Sequence, residues 1–316
     1  MTFHQLRALL AVAEAGSIRG AAAAMVVTEP SVSAAIAQLS RELGVPLTER
    51  VGRGIRLTEA GKEFARYAAQ ILGLSDRGVR AAREAAGAGG HLRLAAVTTA
   101  GEYVLPPILA GFLRTHPGQR VSVEVGNRAS TIARLLNDEA DLALGGRPPD
   151  RGGIAGEAFR DNPLVVVGPP DHPLRRKRNF DPQLLSGETW LLREPGSGTR
   201  QTTEEFLAAS GIEPGSVMNV GSNGAIKRAV SLGLGVTLIS LDAVAEELAA
   251  GELARLEVRG SPLRRSWWVL YREEAPLPPS ARTFLRFLRS GRSRGEAGPA
   301  PAARARSRSR GAPSAR

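Results

Sequence analysis

The segment that most constrains this chain is TEPSVSAAIAQL, residues 28–39. Val32, Ile36 and Leu39 recur at helical spacing and form one apolar seam, while the opposite side carries serines, alanines and Gln38 with no lysine or arginine. In a chain of formal net charge +11, such a face suits close approach to another surface. Thr28 is placed to cap the helix and Pro30 falls in its first turn, where a missing amide proton is not needed. Upstream, Ser17 can cap a short helix, IRGAAAAM, whose alanines let another helix cross closely above it. A first helix is signalled by the capping pair Thr2 and Gln5 ahead of Phe3, Leu6, Leu9, Leu10 and Ala13, with Gly16 as its left-handed end. Two helices joined by the short turn VVT make a helix-turn-helix.

The open face then has a chemical reading. A helix in the major groove of duplex DNA needs donors and acceptors that reach base edges, and small residues that admit its backbone. Long cations serve the flanking phosphates instead. Ser17, Thr28, Glu29, Pro30, Ser31, Ser33 and Ala34 are therefore the expected contacts from the helical pair. The stretch ERVGRGIRLT reads as a hairpin with Arg50 and Arg56 on its arms and Arg53 at its tip, a wing along the sugar-phosphate backbone. Each phosphate it neutralises steepens the salt dependence of binding by about 0.9 log units per log unit of salt.

Thr58 can cap a long helix reaching about Ala86. Ala60, Phe64, Tyr67, Ile71 and Leu74 alternate four and three apart along it, which predicts a seam against a second copy of the chain. The glycine-rich GAGG then leads into alternating short β-rich and helical runs. HLRLAAV, VSVEVG, DLALGG, LVVVGPP, TWLLRE, VTLISL and SWWVLY are the expected strands, and the alternation predicts a parallel, doubly wound α/β fold. Such folds bind ligands beyond the carboxyl ends of their strands. Three strand-to-helix junctions suit an anion: VTTAGE with Thr98 and Thr99, EPGSGTRQ with Gly196, Ser197, Thr199 and Arg200, and GSNGAIKRA with Ser222, Asn223 and Lys227.

Several classes are disfavoured. The chain has no cysteine, which removes disulfides, thiolate nucleophiles and cysteine-ligated zinc. His4, His91, His116 and His172 lie far apart, so no metal site and no catalytic residue is assigned. GSGTR lacks P-loop spacing and its lysine, Gly233 and Gly235 lack a third glycine, and Ser197 lacks a nucleophile-elbow frame, so neither an enzyme nor a cofactor is indicated. Glu14 interrupts the apolar start and no run approaches a membrane span, so a cytoplasmic protein without membrane contact is expected. After Leu288 the chain turns to Gly, Pro, Ala, Ser and Arg. Seven arginines against Glu296 in residues 291–316 supply six of the eleven positive charges, and this Arg-rich tail is expected to be disordered.

The first sixty residues resemble the LysR-type transcriptional regulators. The motifs are Gly16-Ser17, Ala21-Ala22, Thr28-Glu29-Pro30-Ser31-Val32-Ser33, Leu43-Gly44 and Leu57 to Gly61. Two residues depart from that pattern. Glu29 stands in place of the usual Gln, turning an amide into an acceptor-only carboxylate that favours a cytosine amino group and repels phosphate. Thr48 replaces a Phe beneath the wing. Further along, TTAGEYVLP, EVGNR, GRPPD, LREPGSGTR and GSNGAIKRAVSLGLG look most like the branch that controls carbon-fixation (Calvin-cycle, RuBisCO) operons; branches of sulfur metabolism share REPGSGT.

The resemblance implies an α+β multidomain chain: a winged helix-turn-helix at 1–60, a linker and dimerisation helix at 61–89, a two-lobed α/β effector domain like type 2 periplasmic binding proteins at 90–290, and the tail at 291–316. Lobe I would comprise 90–162 plus 268–290 and lobe II 163–267, with crossings near Asn162 to Val167 and Arg265 to Leu270. It also implies effector contacts from Thr98, Thr99, Asn127, Arg147, Ser197, Thr199, Arg200 and Asn223, with sugar phosphates or reduced nicotinamide nucleotides as ligands. Its expected partners are double-stranded operator DNA, a small anionic metabolite, a second copy in a homodimer or homotetramer, and RNA polymerase. The alternative is a solute-binding protein or small-molecule enzyme of the same α/β fold carrying a helical extension.

Overall fold

A computed structural model describes residues 1–52, 54–150 and 152–290. Thr2 and Gln5 close a reciprocal capping box on α1 (Phe3–Ala15), and Gly16 ends it in the left-handed region at φ 62°. The Ser17 hydroxyl accepts from the Gly20 amide and starts α2 (Ile18–Met25). Thr28 occupies the cap position of α3 (Glu29–Leu43), but its side chain makes no capping bond and stays exposed, so the entry rests on the extended Thr28 backbone and Pro30. α2 and α3 meet at 106°, within the range of a helix-turn-helix. The alanine platform behaves as its small side chains dictate: Ala21 and Ala22 are buried with Ala8, Val12, Val32, Ala35 and Ile36 in one core. β1 (Thr48–Val51) and β2 (Gly54–Leu57) form the expected antiparallel hairpin. Arg53, expected at its tip, lies outside the described residues, as does the tail from 291.

Thr58 caps α4 (Glu59–Ala85) by accepting from the Gly61 amide. A Cβ on Gly61 would overlap the Leu47 carbonyl oxygen, so glycine lets α4 lie against the base of the wing. Leu47, Leu6, Leu9, Leu39, Ala68 and Leu72 form a second core there, each large side chain contributing roughly 1.5–3 kcal/mol by burial. The expected seam divides. Phe64 packs on this intrachain core, whereas Ala60, Tyr67, Ile71 and Leu74 remain exposed.

The last half of α4 docks on the following domain through charges that the linker pattern did not reveal. Buried Arg77 pairs with Asp138, which also takes Arg272, and Asp141 takes Arg80 at 2.8 Å and Arg93 at 3.0 Å. Glu84 accepts from the backbone amides of His91 and Ser280. Gly73 permits the approach, because a Cβ there would collide with Asp138.

One lobe follows with β3 (His91–Val97), a π-turn at Ala100–Val104 running into α5 (Leu105–Thr115), β4 (Arg120–Gly126), α6 (Arg128–Leu136), β5 (Leu142–Gly145) and β6 (Ile154–Asp161). The chain then enters a second lobe: β7 (Leu164–Gly168), β8 (Arg178–Phe180), β9 (Thr189–Leu192), α7 (Gly198–Ser210), β10 (Ser216–Asn219), α8 (Asn223–Ser231), β11 (Thr237–Ser240), α9 (Leu241–Ala250) and β12 (Ala254–Val258). It returns through β13 (Ser266–Arg272) and ends in α10 (Pro279–Arg289). The two passages run side by side, since the Asn162 amide bonds the Arg265 carbonyl and Leu164 pairs with Leu263.

The parallel, doubly wound expectation needs correction. The first sheet has the order β4-β3-β5-β13-β6 and is mixed: β3 runs parallel to β4 and β5, but β13 is antiparallel to both β5 and β6. The second, β11-β7-β12-β8, is also mixed, and β9 and β10 form a separate parallel pair. The cause is the double crossing, which returns a strand from the far lobe in the opposite direction. Phe112, Phe284, Leu94 and Leu142 lie in the first lobe's core, and Trp190, Phe206, Val166 and Leu256 in the second's.

Candidate DNA-binding surface and effector cleft

A groove of about 570 Å³ lies between α2, α3 and the hairpin, lined among others by Ser17, Arg19, Glu29, Ser33, Arg50 and Gly54. Because Val32, Ile36 and Leu39 are buried, the helical period turns Ser33, Ala34, Ala37 and Gln38 outward, and all four are exposed. Thr28, Glu29 and Pro30 are also exposed and Ser31 is half-buried. Arg50 projects from β1 into the groove wall. Arg56 is on the opposite arm, where its Nε donates to Glu49 at 2.7 Å, so its charge is partly answered within the hairpin. Sequence reasoning missed Arg19, whose α2 position carries no motif signal.

The second site is a cleft of about 290 Å³ between the two lobes. Three helix starts open onto it: the Thr98-Thr99 turn after β3, Asn127-Arg128 at α6 and Ser197-Gly198 at α7. Asn127 caps α6 by accepting from the Ser130 amide at 2.9 Å. Of the expected contacts, Thr98, Thr99, Asn127, Arg147, Ser197 and Thr199 line the cleft. Gly196, at φ 85°, forms the turn beside Asn127 on an adjoining hollow.

Two expected contacts are placed elsewhere. Arg200 turns away, donating to Glu204 at 2.7 Å and Asn219 at 2.6 Å. Asn223 is fully buried behind the cleft and bonded to both lobes. Lys227 likewise leaves the site, pairing with Glu247 over the Tyr103 ring.

In their place the fold brings Arg128 and Arg265 to the cleft from 137 positions apart in sequence. Arg128 donates to the Arg147 carbonyl at 2.6 Å, and Arg265 to the Thr202 hydroxyl. Neither has a carboxylate partner among the described residues. Burial, and then the nearby Arg265 charge, push the Arg128 guanidinium below the usual arginine range. Two like charges held together without a counter-charge favour an anionic ligand. Asp150 also lines the cleft, while Glu194 is engaged by Arg193 at 2.8 Å. Trp267, fixed by its indole bond to Asp242 at 2.8 Å, forms part of the wall.

A winged helix-turn-helix joined by a long helix to a two-lobed binding domain defines a ligand-controlled DNA-binding regulator. Residues 3–62 match the bacterial regulatory helix-turn-helix protein, lysR family, and residues 85–293 match the LysR substrate binding domain. The chain belongs to the LysR family of transcriptional regulators. It is 38% identical over 303 residues to a RuBisCO operon transcriptional regulator of Acidithiobacillus ferrooxidans, covering 95% of this chain and 97% of that one. The regulatory domain of CcmR from Synechocystis, solved in complex with 2-PG, is 36% identical with a TM-score of 0.61 over 64% of this chain and 96% of that domain. Full-length CbnR complexed with its target DNA is 25% identical with a TM-score of 0.65, covering 92% and 99%.

Proposed function

We propose that this regulator controls a carbon-fixation operon, gripping operator DNA with α3 and the β1–β2 hairpin and responding to a small phosphorylated metabolite held between its lobes. The likeness to RuBisCO operon regulators supports the target, and the 2-PG bound by the related CcmR domain supports the ligand class. The observation that carries the ligand assignment is the pair Arg128 and Arg265, without carboxylate partners among the described residues, beside three helix starts. Two charge-assisted hydrogen bonds at ~1.5–3 kcal/mol each and three helix starts at ~0.3–1 give a gross attraction of roughly 4–9 kcal/mol, against which the freedom lost on association must be set. Sugar phosphates and reduced nicotinamide nucleotides are further candidates.

The exposed stripe of Tyr67, Ile71 and Leu74 on α4 supports pairing with a second copy. On this reading the protein also works with RNA polymerase and acts in the cytoplasm, which its membership of a DNA-binding regulator family supports. Ligand acts by its differential affinity for two lobe arrangements, and can shift the DNA-bound population only by that difference.

The test is fluorescence anisotropy of duplex DNA from upstream of its own coding region, titrated with and without 2-PG, with intrinsic tryptophan fluorescence, to which Trp267 of the cleft wall contributes, followed in parallel. Saturable quenching and a ligand-dependent change in DNA affinity are expected. If neither 2-PG, a sugar phosphate nor a reduced nicotinamide nucleotide alters either signal, the ligand assignment is wrong.

A further inference from the structure

Thr98 and Thr99 sit side by side in the cleft, yet their hydroxyls are set in opposite senses. The Thr98 hydroxyl donates its proton to the Gly126 carbonyl at 3.1 Å, so it offers a ligand only lone pairs. Thr99, nearly buried, instead accepts from the Asn223 side-chain amide at 3.1 Å. The chemistry of the neighbours fixes which way that amide faces. Arg193 can only donate, and its Nη1 meets the Asn223 carbonyl oxygen at 2.7 Å. The Glu102 carboxylate takes an amide hydrogen at 3.2 Å. Arg193 is itself held by both Glu194 oxygens, at 2.8 and 3.0 Å. Flipping the Asn223 amide would set a donor against a donor at Arg193 and an acceptor against a carboxylate at Glu102. Both amide hydrogens and the carbonyl are therefore committed, and the Thr99 proton, with no acceptor among the described residues, is left for the cleft.

We propose that Asn223 is a positioning residue that makes Thr99 a hydrogen-bond donor into the cleft, so that this corner selects an oxyanion oxygen. The inference rests on the anion-binding reading of the cleft and adds a specific donor to it. It also links ligand to lobe geometry. Thr99 belongs to the first lobe and Asn223 to the second, and a hydroxyl that donates to an anion becomes a better acceptor for the amide across the seam. Ligand thereby tightens the contact between lobes without touching Asn223.

The experiment is a double-mutant cycle on the full chain, with 2-PG and inorganic phosphate as probes and affinity read by calorimetry. T99V should weaken 2-PG by about ten- to hundred-fold, the size of one lost hydrogen bond to a charged group. T99S, which keeps the hydroxyl, should bind within about twofold of the unmodified chain, and T98V should lose far less than T99V. N223A should weaken binding about five- to tenfold alone and less than about twofold in the T99V background, because its effect passes through Thr99. Equal losses from N223A in both backgrounds overturn the positioning role while leaving the anion site intact. If N223A does not fold, T99S behaving like T99V overturns it equally. If the unmodified chain binds neither probe, the anion-site reading falls and the inference falls with it.

Discussion

Asp138 offers the most quantitative test of how the linker helix is held. Its carboxylate is fully buried and is shared by Arg77 of α4 and Arg272 of β13, with Arg77 only 2% exposed. Burial pushes the Arg77 guanidinium below the usual arginine range, and Asp138 and Asp141 oppose that. D138N keeps the volume and suits the left-handed backbone at φ 58°, which asparagine tolerates, but leaves two guanidinium groups short of a counter-charge. Removing one partner of a buried pair costs about 3–5 kcal/mol. For a domain of this size that is a fall of about 6–20 °C in Tm. The three tryptophans, Trp190, Trp267 and Trp268, all lie in the two-lobed domain, so their fluorescence follows its unfolding. The control is E257Q at the Arg178–Glu257 pair, whose side chains are 84% and 41% exposed; such a surface pair is worth at most ~1 kcal/mol. D138N should also expose the last half of α4 to proteases. A Tm loss no larger than that of E257Q, with α4 still protected, would show that these ion pairs do not hold the linker.

Two further outcomes follow from the site and the linker. R128Q removes one of the two cleft arginines that have no carboxylate partner among the described residues, and should weaken 2-PG binding by about ten- to hundred-fold in calorimetry, with little change in Tm. Unchanged affinity removes Arg128 from the site. L74E places a charge in the exposed apolar stripe of α4 and should weaken self-association at least about tenfold in sedimentation equilibrium; undisturbed association means that this stripe is not the contact between copies.

The elements with strictly local signals were legible in the sequence. The capping box at Thr2, the caps at Ser17 and Thr58 and the left-handed Gly16 each involve residues within a turn of one another, and the structure contains them. The seven named strands are likewise present. β6 and β10 were missed because their burial does not announce itself: β6 reads IAGEAFRD with polar residues on both faces, and β10 is exposed throughout. Strand direction was misjudged because β13 pairs with strands laid down more than a hundred residues earlier, which no periodicity records. Asn223 shows the same limit in the site. Locally it reads as a helix-start residue facing ligand, whereas its partners Thr99 and Glu102 are 124 and 121 positions away. Arg128 closes the EVGNR motif, where only Asn127 was read as a contact, and Arg265 lies in no motif at all; their convergence is a property of the lobes' packing.

Operator recognition rests first on α3 meeting base edges through its short polar side. Ser33 is exposed there and faces the groove shared with Arg19 and Arg50. The decisive measurement is the affinity of the S33E variant for duplex DNA from upstream of its own coding region, beside its sedimentation profile. A carboxylate set against the bases and phosphates should cost about a hundredfold or more in specific binding, with the assembly unchanged. Unaltered affinity in S33E would mean that another surface of the protein reads the DNA.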